Sequence, residues 1–311
     1  MGAGHDHGVQ GSAPTGDHRR RLLLAFGITA TIVVVQAVGA WITGSLALLT
    51  DTAHAFTDAA GLAVALIAGT MMVRPASARK TWGFRRLEVI AALGQASLLL
   101  AVGLYAGIEG ISRLFDPPTM PASELLVFGV LGLAANMIAI GVLASRRQAN
   151  FNMRAAFLEV LNDALGSLGV IVAAIVIATT GFYQADALAG LFIAVLIVPR
   201  AVTLIRQTLH VLMEFTPAAL DLDAVRAHIL DKDHVRDVHD LHASTVGTGL
   251  EVLSAHVVVD DECFEDGHAP YLLTEIKECL AEHFPVSIEH STIQIETPRV
   301  TRHESGVAGH A

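Results

Sequence analysis

The sequence predicts an all-α membrane domain, a bundle of six transmembrane helices, followed by a smaller α+β domain. Hydrophobic residues make up 53% of the 311-residue chain and charged residues only 16%, with a mean hydropathy of +0.54. A soluble protein carries about 25% charged residues, so this chain has too little polar surface to face water on all sides. The charge is also uneven, with a net of +2 over residues 1–214 and −12 over residues 215–311.

Six apolar stretches are each long enough to cross a bilayer of about 30 Å, which takes roughly 20 helical residues. The first follows three arginines, but it is too long for a signal peptide, it lacks a convincing cleavage site, and five more spans follow it. The predicted spans lie near residues 22–43, 46–73, 87–109, 123–145, 155–180 and 185–206.

Basic residues in the loops predict the orientation of this bundle. Eleven Lys and Arg residues lie before the first span, between the second and third, or between the fourth and fifth, whereas the alternate loops contain only Arg113. Basic residues concentrate on the cytoplasmic side of membrane proteins. Both termini are therefore predicted to be cytoplasmic, and we expect a multi-pass protein of the cell (plasma) membrane.

Beyond residue 214 the pattern becomes that of a soluble domain. Two stretches have helical spacing and three alternate like strands, in the order helix, strand, strand, helix, strand. They lie at residues 221–230, 238–242, 250–259, 272–283 and 291–296, with a hairpin turn at 246–249. The chain is thus expected to divide into a disordered tail (1–18), a transmembrane domain (19–210), a cytoplasmic α+β domain (211–298) and a second disordered tail (299–311).

Composition also excludes two classes of protein. The only cysteines are Cys263 and Cys279, so the chain is not a disulfide-stabilised secreted scaffold. The net charge of −10 and the lack of a basic stripe argue against nucleic acid as a partner.

Ionisable side chains inside the predicted spans call for a specific role, because placing each one near the bilayer centre costs at least about 2.5–3.5 kcal/mol of free energy. Four of them form two pairs with i,i+4 spacing, and such residues share one helical face about 6 Å apart along the axis. Among the ionisable residues in the spans are Asp51, His54 and Asp58 in span two, Glu88 in span three, Glu159 and Asp163 in span five, and Asp186 in span six.

If the two pairs face one another, one imidazole nitrogen and three carboxylates converge at one depth. A four-ligand set of this kind suits a divalent transition metal, zinc first, and the ion would offset the carboxylate charge. Asp51 lies on the same face, one turn nearer the outer end. The alternative is that these side chains only tie helices together by hydrogen bonds, but Ser or Asn would do so at less cost.

These residues, with several other segments, resemble the cation diffusion facilitator family of zinc and related metal transporters. The resemblance extends over roughly residues 20–297, and the segments occur in the family's order. They are 44–58 (GSLALLTDTAHAFTD), 83–92 (GFRRLEVIAA), 157–170 (FLEVLNDALGSLGV), 186–205, 211–217 (VLMEFTP), 238–242 (VHDLH), 253–258 (LSAHVV) and 290–296 (HSTIQIE).

The resemblance implies a homodimer of six-helix protomers in the lipid bilayer, each with a metallochaperone-like, ferredoxin-like cytoplasmic domain. Such proteins export Zn²⁺, and sometimes Cd²⁺, Co²⁺, Fe²⁺ or Mn²⁺, in exchange for protons. The transport site falls on His54, Asp58, Glu159 and Asp163, and Asp51 is expected on the exit path or beside the ligands.

In the soluble domain, the resemblance maps metal positions onto four residues. The ion held there, again Zn²⁺ by expectation, would be regulatory. These positions are His239, His256, His290 and Glu296, with His242 as a candidate neighbour.

One departure from the family concerns metal preference. The zinc-transporting subgroup usually has His where this chain has Glu159. A third carboxylate makes the site harder, which favours Mn²⁺, Fe²⁺ or Co²⁺ as alternatives to Zn²⁺.

Rival functions lack comparable support. An intramembrane metalloenzyme would need a motif such as HExxH, which is absent, so we expect no enzymatic activity. A membrane-anchored metal sensor is an alternative, although an anchor would not need paired ionisable residues in two spans. A carrier of another solute, such as an organic cation, should show broken helices and aromatic binding residues. Transport by the purified protein separates these possibilities.

Overall fold

The computed structural model describes residues 16–71, 77–144 and 151–300. Within these ranges the chain forms nine helices and three strands, and it divides into two compact units. The first unit comprises Met1–Pro75 and Ile90–Arg206, and the second comprises Ala76–Val89 and Gln207–Ala311. Residues 77–89, which begin between the second and third predicted spans, therefore group with the C-terminal unit.

Six long helices in the described residues occupy the positions predicted for the membrane spans. They are α1 (Gly16–Thr43), α2 (Leu46–Met71), α3 (Leu87–Phe115), α4 (Ala122–Ala144), α5 (Phe151–Thr180) and α6 (Gln184–Leu212). Because α1 begins at Gly16, residues 16–18 are helical, whereas the sequence assigned them to the tail. Gly44 and Gly181 follow α1 and α5 at φ +65° and +69°, a left-handed backbone that favours glycine and ends a helix.

Four helices in the described part of the chain are long and apolar enough to cross a membrane. They are Leu87–Phe115, Ala122–Gly141, Val160–Thr180 and Gln184–Leu212, whereas α1 contains a shorter apolar stretch, Thr29–Thr43. Large hydrophobic side chains face outward on these helices, among them Ile108 (73% exposed) and Val195 (68% exposed). Lipid is as apolar as these side chains, so they need no protein cover in a membrane.

Helices α1, α2, α4 and α5 pack against one another in the first unit. Their shared core buries Leu48, Leu125, Val170 and Ala174. Alanine and glycine along these helices allow their backbones to approach closely. This packing places α2 and α5, which carry the paired ionisable residues, side by side.

The second unit contains a sheet of three strands in its described residues, in the order β1-β2-β3. β1 pairs antiparallel with β2, and β2 pairs parallel with β3. Its elements are α7 (Leu222–Leu230), β1 (Val235–Gly247), β2 (Leu250–Val259), α8 (Glu262–Glu265), α9 (Ala269–Glu282) and β3 (His290–Glu296).

The element order predicted for this unit is present, with two differences. β1 is longer than the predicted strand and runs to Gly247, so Thr248 and Gly249 form the hairpin turn, with Gly249 at φ +68°. The short helix α8 was not predicted, since four residues show no helical period. Buried side chains from both faces of the α–β interface, such as Val238, Val257, Leu272 and Ile276, form its core.

Candidate metal centre

A histidine and two carboxylates from α2 and α5 meet inside the first unit. His54 Nε2 lies 3.9 Å from Asp58 Oδ2 on the same helix and 2.9 Å from Asp163 Oδ1 on α5. One ligand atom from each residue falls within 4.8 Å of the others, close enough to hold one metal ion. The i,i+4 spacing on α2 thus presents both side chains to the same point on α5.

These three side chains are largely buried. The side chain of His54 is 8% exposed, that of Asp163 17% and that of Asp58 22%. Two carboxylates this close repel each other strongly where water is scarce. A bound divalent cation would remove that repulsion. In the described part of the chain, His54 Nδ1 is buried with no hydrogen-bond partner. Such unpaired buried polar atoms are rare in native proteins.

Glu159 was predicted to be the fourth ligand. It lies on α5 one turn before Asp163, but its side chain is outside the described residues. Its role in the site therefore stays a prediction.

Asp51 lies one helical turn from His54, toward the N-terminal end of α2, and is 5% exposed. Its Oδ2 accepts hydrogen bonds from Gln36 Nε2 and Ser167 Oγ, both at 3.1 Å. Asn136 Nδ2 in turn donates to Ser167 Oγ at 3.3 Å. The structure therefore does not bring Asp51 into the three-residue group but ties it to α1 and α5.

Sequence reasoning missed this polar network around Asp51. Gln36 and Asn136 are amides inside predicted spans, and that is the signal that could have revealed them. Gly166 is also part of the arrangement, because a Cβ at that position would lie 2.7 Å from Asp51 Oδ1. Only glycine lets the carboxylate approach α5 so closely.

A second group of potential ligands lies on the sheet of the second unit. His239 Nε2 is 2.7 Å from Glu296 Oε1, and His256 Nδ1 is 3.4 Å from Glu296 Oε2. His239 and His256 are partners in the β1–β2 register, and their ring centres are 5.1 Å apart. The carboxylate of Glu296 is only 2% exposed and also accepts a hydrogen bond from Gln294 Nε2 at 3.0 Å. This set can hold a metal ion.

His290 does not join that group. It pairs with Val252 at the start of β3, whereas Glu296 ends the strand beside Val258. Its ring instead contacts Trp82 edge-on, with centres 4.8 Å apart. His242 lies apart as well, with Nε2 3.2 Å from Asp240 Oδ1.

The sequence also drew attention to Glu88 and to the two cysteines, which lie outside both groups of potential metal ligands. Glu88 Oε1 accepts a hydrogen bond of 2.5 Å from Thr248 N in the hairpin turn of the second unit. Cys263 and Cys279 are free, buried thiols, and burial raises the pKa of each. A thiol that stays protonated is a poor nucleophile and metal ligand.

The fold and the site together define a class of protein. In the described residues, four helices are long and apolar enough to span a bilayer, and one of them, α5, brings Asp163 to His54 and Asp58 of α2. The small α+β unit carries a second set of potential metal ligands. Ionisable residues at such positions mark ion pathways in membrane proteins. The chain is an integral membrane protein, and two groups of its side chains can each hold a metal ion.

Comparison with known proteins identifies the family. Residues 22–213 match the cation efflux transmembrane domain, and residues 217–298 match the cytoplasmic domain of cation efflux proteins. The chain therefore belongs to the cation efflux family, also called the cation diffusion facilitators, and is a membrane protein.

Several curated relatives resemble the chain along most of its length. The metal cation efflux system protein CzcD of Cupriavidus metallidurans is 38% identical over 95% of this chain and 90% of its own length. The cadmium, cobalt and zinc/H⁺-K⁺ antiporter of Bacillus subtilis is 34% identical over 94% of this chain and 92% of its own length. The zinc transporter ZitB of Yersinia pseudotuberculosis is 36% identical over 89% of this chain and 87% of its own length.

Proposed function

We propose that this protein exports divalent metal ions, Zn²⁺ first and also Cd²⁺ and Co²⁺, from the cytoplasm in exchange for protons. The observation that carries this proposal is the convergence of His54, Asp58 and Asp163 from two neighbouring helices. The relatives named for transport of zinc, cadmium and cobalt support the choice of ions. The protein acts as a transporter and not as an enzyme.

The transport site consists of His54, Asp58 and Asp163, with Glu159 as the fourth ligand. Nitrogen and oxygen ligands in a four-coordinate set suit zinc. Glu159 adds a third carboxylate where a nitrogen is usual in zinc transporters, so Mn²⁺ and Fe²⁺ are the ions to compare with Zn²⁺.

Proton exchange follows from the chemistry of these ligands. Carboxylates and imidazole bind metal only when they are deprotonated, so metal and protons compete for one site. A site open to the cytoplasm loads metal, and the same site open to the outside exchanges the metal for protons. The relative from Bacillus subtilis that is named a cadmium, cobalt and zinc/H⁺-K⁺ antiporter supports this coupling. Asp51, one turn toward the outer end of α2, would then lie on the exit path.

The proposed topology has six membrane-spanning helices, α1–α6, with both termini in the cytoplasm and the protein in the plasma membrane. The distribution of basic residues, eleven against one in alternate loops, supports this orientation. The division into a transmembrane domain and a cytoplasmic domain is proposed as predicted from the sequence, except that α1 begins at Gly16, inside the predicted N-terminal tail. The match to the cytoplasmic domain of cation efflux proteins supports a homodimer.

The cytoplasmic domain is proposed to bind a regulatory metal ion at His239, His256 and Glu296. The burial of the Glu296 carboxylate between two histidines supports this assignment. The family resemblance adds His290 to this set, and a substitution of His290 tests whether it belongs there.

Proteoliposomes test the transport proposal. Purified protein is reconstituted with a metal-sensitive dye inside, and uptake of Zn²⁺, Cd²⁺, Co²⁺, Fe²⁺ and Mn²⁺ is measured with and without an imposed pH gradient. We expect the pH gradient to accelerate uptake of the transported ions. Asp163→Asn should abolish uptake, while Asp116→Asn, which changes an exposed acid beyond α3, should not. Uptake indifferent to the pH gradient would contradict antiport, and no uptake of any metal would contradict transport.

A further inference from the structure

Asp186, near the start of α6, has a fully buried side chain that caps the N-terminal end of α2. Leu46 N donates to Asp186 Oδ2 at 2.7 Å, and Ala47 N donates to Oδ1 at 3.3 Å. Ser45 Oγ donates to Oδ1 as well. The first amides of a helix have no partners within that helix, and their positive dipole favours a negative charge. Asp186 supplies both the acceptors and the charge from a neighbouring helix.

Arg113, from the last turn of α3, completes this cluster. Its Nη1 lies 3.9 Å from Asp186 Oδ2 and donates to Gly44 O at 2.7 Å. Its Nε donates to Glu109 Oε1 on its own helix at 2.9 Å. The single basic residue of the outer loops is thus held beside the buried carboxylate. Arg113 links α3 to the turn between α1 and α2.

Apolar packing holds the same end of α2. The side chain of Leu46 is fully buried in a small cluster with Ala106 of α3 and Ala194 of α6. A Cβ at Gly190 of α6 would lie 3.1 Å from Leu46 Cγ and 3.3 Å from Ala47 N. The absence of a side chain at Gly190 therefore lets α6 reach the backbone of α2. The first turn of α2 has little space in which to slide or rotate.

The segment from Leu46 to His54 transmits this constraint to the metal centre. It contains neither glycine nor proline, so it is a continuous helix without a flexible point. Eight residues of helix span about 12 Å. A shift at Leu46 therefore moves His54 and Asp58 together, while Asp163 on α5 stays in place.

We propose that Asp186 is a positioning residue for metal transport. By capping α2 from α6, it sets the height and rotation of α2 and hence the placement of His54 and Asp58 opposite Asp163. Asp186 does not bind the metal itself. The inference rests on the proposed function, because it concerns the geometry of the proposed transport site.

The test variant is Asp186→Asn, which has nearly the same volume. Its amide replaces one acceptor with an N–H donor that must face a backbone N–H of α2, and it removes the charge beside Arg113. Misplacement of half the ligands should weaken metal binding at least about tenfold, the lower end of what losing a supporting residue costs at metal sites. Asp116→Asn, at an exposed acid, is the matched control.

Co²⁺ is the probe, since its visible absorption reports coordination geometry. For the absorption measurement the full-length chain carries His239→Ala and His256→Ala, so that the signal comes from the membrane site, whereas transport is measured in a chain with both histidines intact. We expect Asp186→Asn to weaken the tetrahedral Co²⁺ signal and to raise the half-saturating Co²⁺ concentration for transport about tenfold. Arg113→Gln should give a smaller change in the same direction, and Asp116→Asn should give none. Thermal melting in detergent identifies the folded samples.

The outcomes separate the two claims. A folded Asp186→Asn protein with the parental Co²⁺ spectrum and half-saturation would overturn the positioning role and leave the transport site intact. If Asp186→Asn does not fold, a parental Co²⁺ spectrum and half-saturation in the Arg113→Gln protein would overturn the positioning role instead. A chain with His239 and His256 intact that does not transport Co²⁺ would overturn the proposed function, and the inference with it.

Discussion

Asp163 Oδ1 lies 2.9 Å from His54 Nε2, so a carboxylate of α5 contacts the imidazole of α2 within the bundle of the first unit. This contact joins residues that are far apart in the sequence. It joins the i,i+4 pair of α2 to Asp163, one member of the pair on α5. The spacing within each helix comes from the sequence, but the meeting of the two helices comes from packing.

Removing the charge of Asp163 should abolish metal transport. Asp163→Asn keeps the shape of the side chain but leaves a neutral amide, a far weaker ligand than a carboxylate. Even supporting residues around metal sites contribute about 10–100-fold to affinity, so we expect at least that loss in dye-monitored uptake. Asp116→Asn is the control, and a fully active Asp163→Asn protein would remove Asp163 from the site.

Glu159→His should shift metal preference toward zinc. The change replaces a hard oxygen ligand with a borderline nitrogen, which suits Zn²⁺ better than Mn²⁺. We expect the ratio of Zn²⁺ to Mn²⁺ uptake to rise in competition experiments with reconstituted protein. An unchanged ratio in an active variant would show that Glu159 does not contact the ion.

Gly166→Ala should destabilise the protein, and Gly169→Ala provides a matched control on the same helix. A Cβ at Gly166 would lie 2.7 Å from Asp51 Oδ1, and Asp51 is held by Gln36 and Ser167. At Gly169 the nearest atom, Ala189 Cβ, would be 4.0 Å away. Overpacking of this kind costs about 1–3 kcal/mol. Thermal unfolding in detergent should show a lower midpoint for Gly166→Ala alone, and equal midpoints would contradict the close approach.

Glu296→Gln should weaken metal binding by the cytoplasmic domain, whereas His290→Ala should not. Glu296 contacts both His239 and His256, but His290 contacts Trp82. Isothermal titration of the full-length protein with Zn²⁺ measures the number of sites and their affinity. The reverse result, with His290→Ala losing a site and Glu296→Gln retaining it, would favour the set mapped from the family.

The two cysteines should be unreactive toward thiol reagents in the folded protein. Burial raises the pKa of both Cys263 and Cys279, so the reactive thiolate is scarce at neutral pH, and both are also shielded from reagents. Titration with Ellman's reagent should detect almost no thiol in native protein and two per chain in denaturant. Rapid reaction of native protein would indicate that the α8–α9 region opens readily.

Most helices and strands could be predicted because their signals are local. Long apolar stretches indicate the helices of the first unit, and alternating apolar and polar residues indicate β2 and β3. The prediction was incomplete where partners distant in the sequence decide the outcome. β1 extends to Gly247 because β2 supplies its hydrogen bonds. His290 and Glu296 lie on one strand, but its parallel register sets them beside different partners.

The sequence by itself determined the membrane character of the chain, the two i,i+4 pairs and the family, because composition, spacing and motifs are properties of the chain alone. Only the tertiary structure decided which of those side chains meet. It brought His54 and Asp58 to Asp163, tied Asp51 to Gln36 and Ser167, and turned Asp186 into a cap for α2. The reason is physical: a buried charge needs a partner, and packing selects that partner from residues that no local pattern connects.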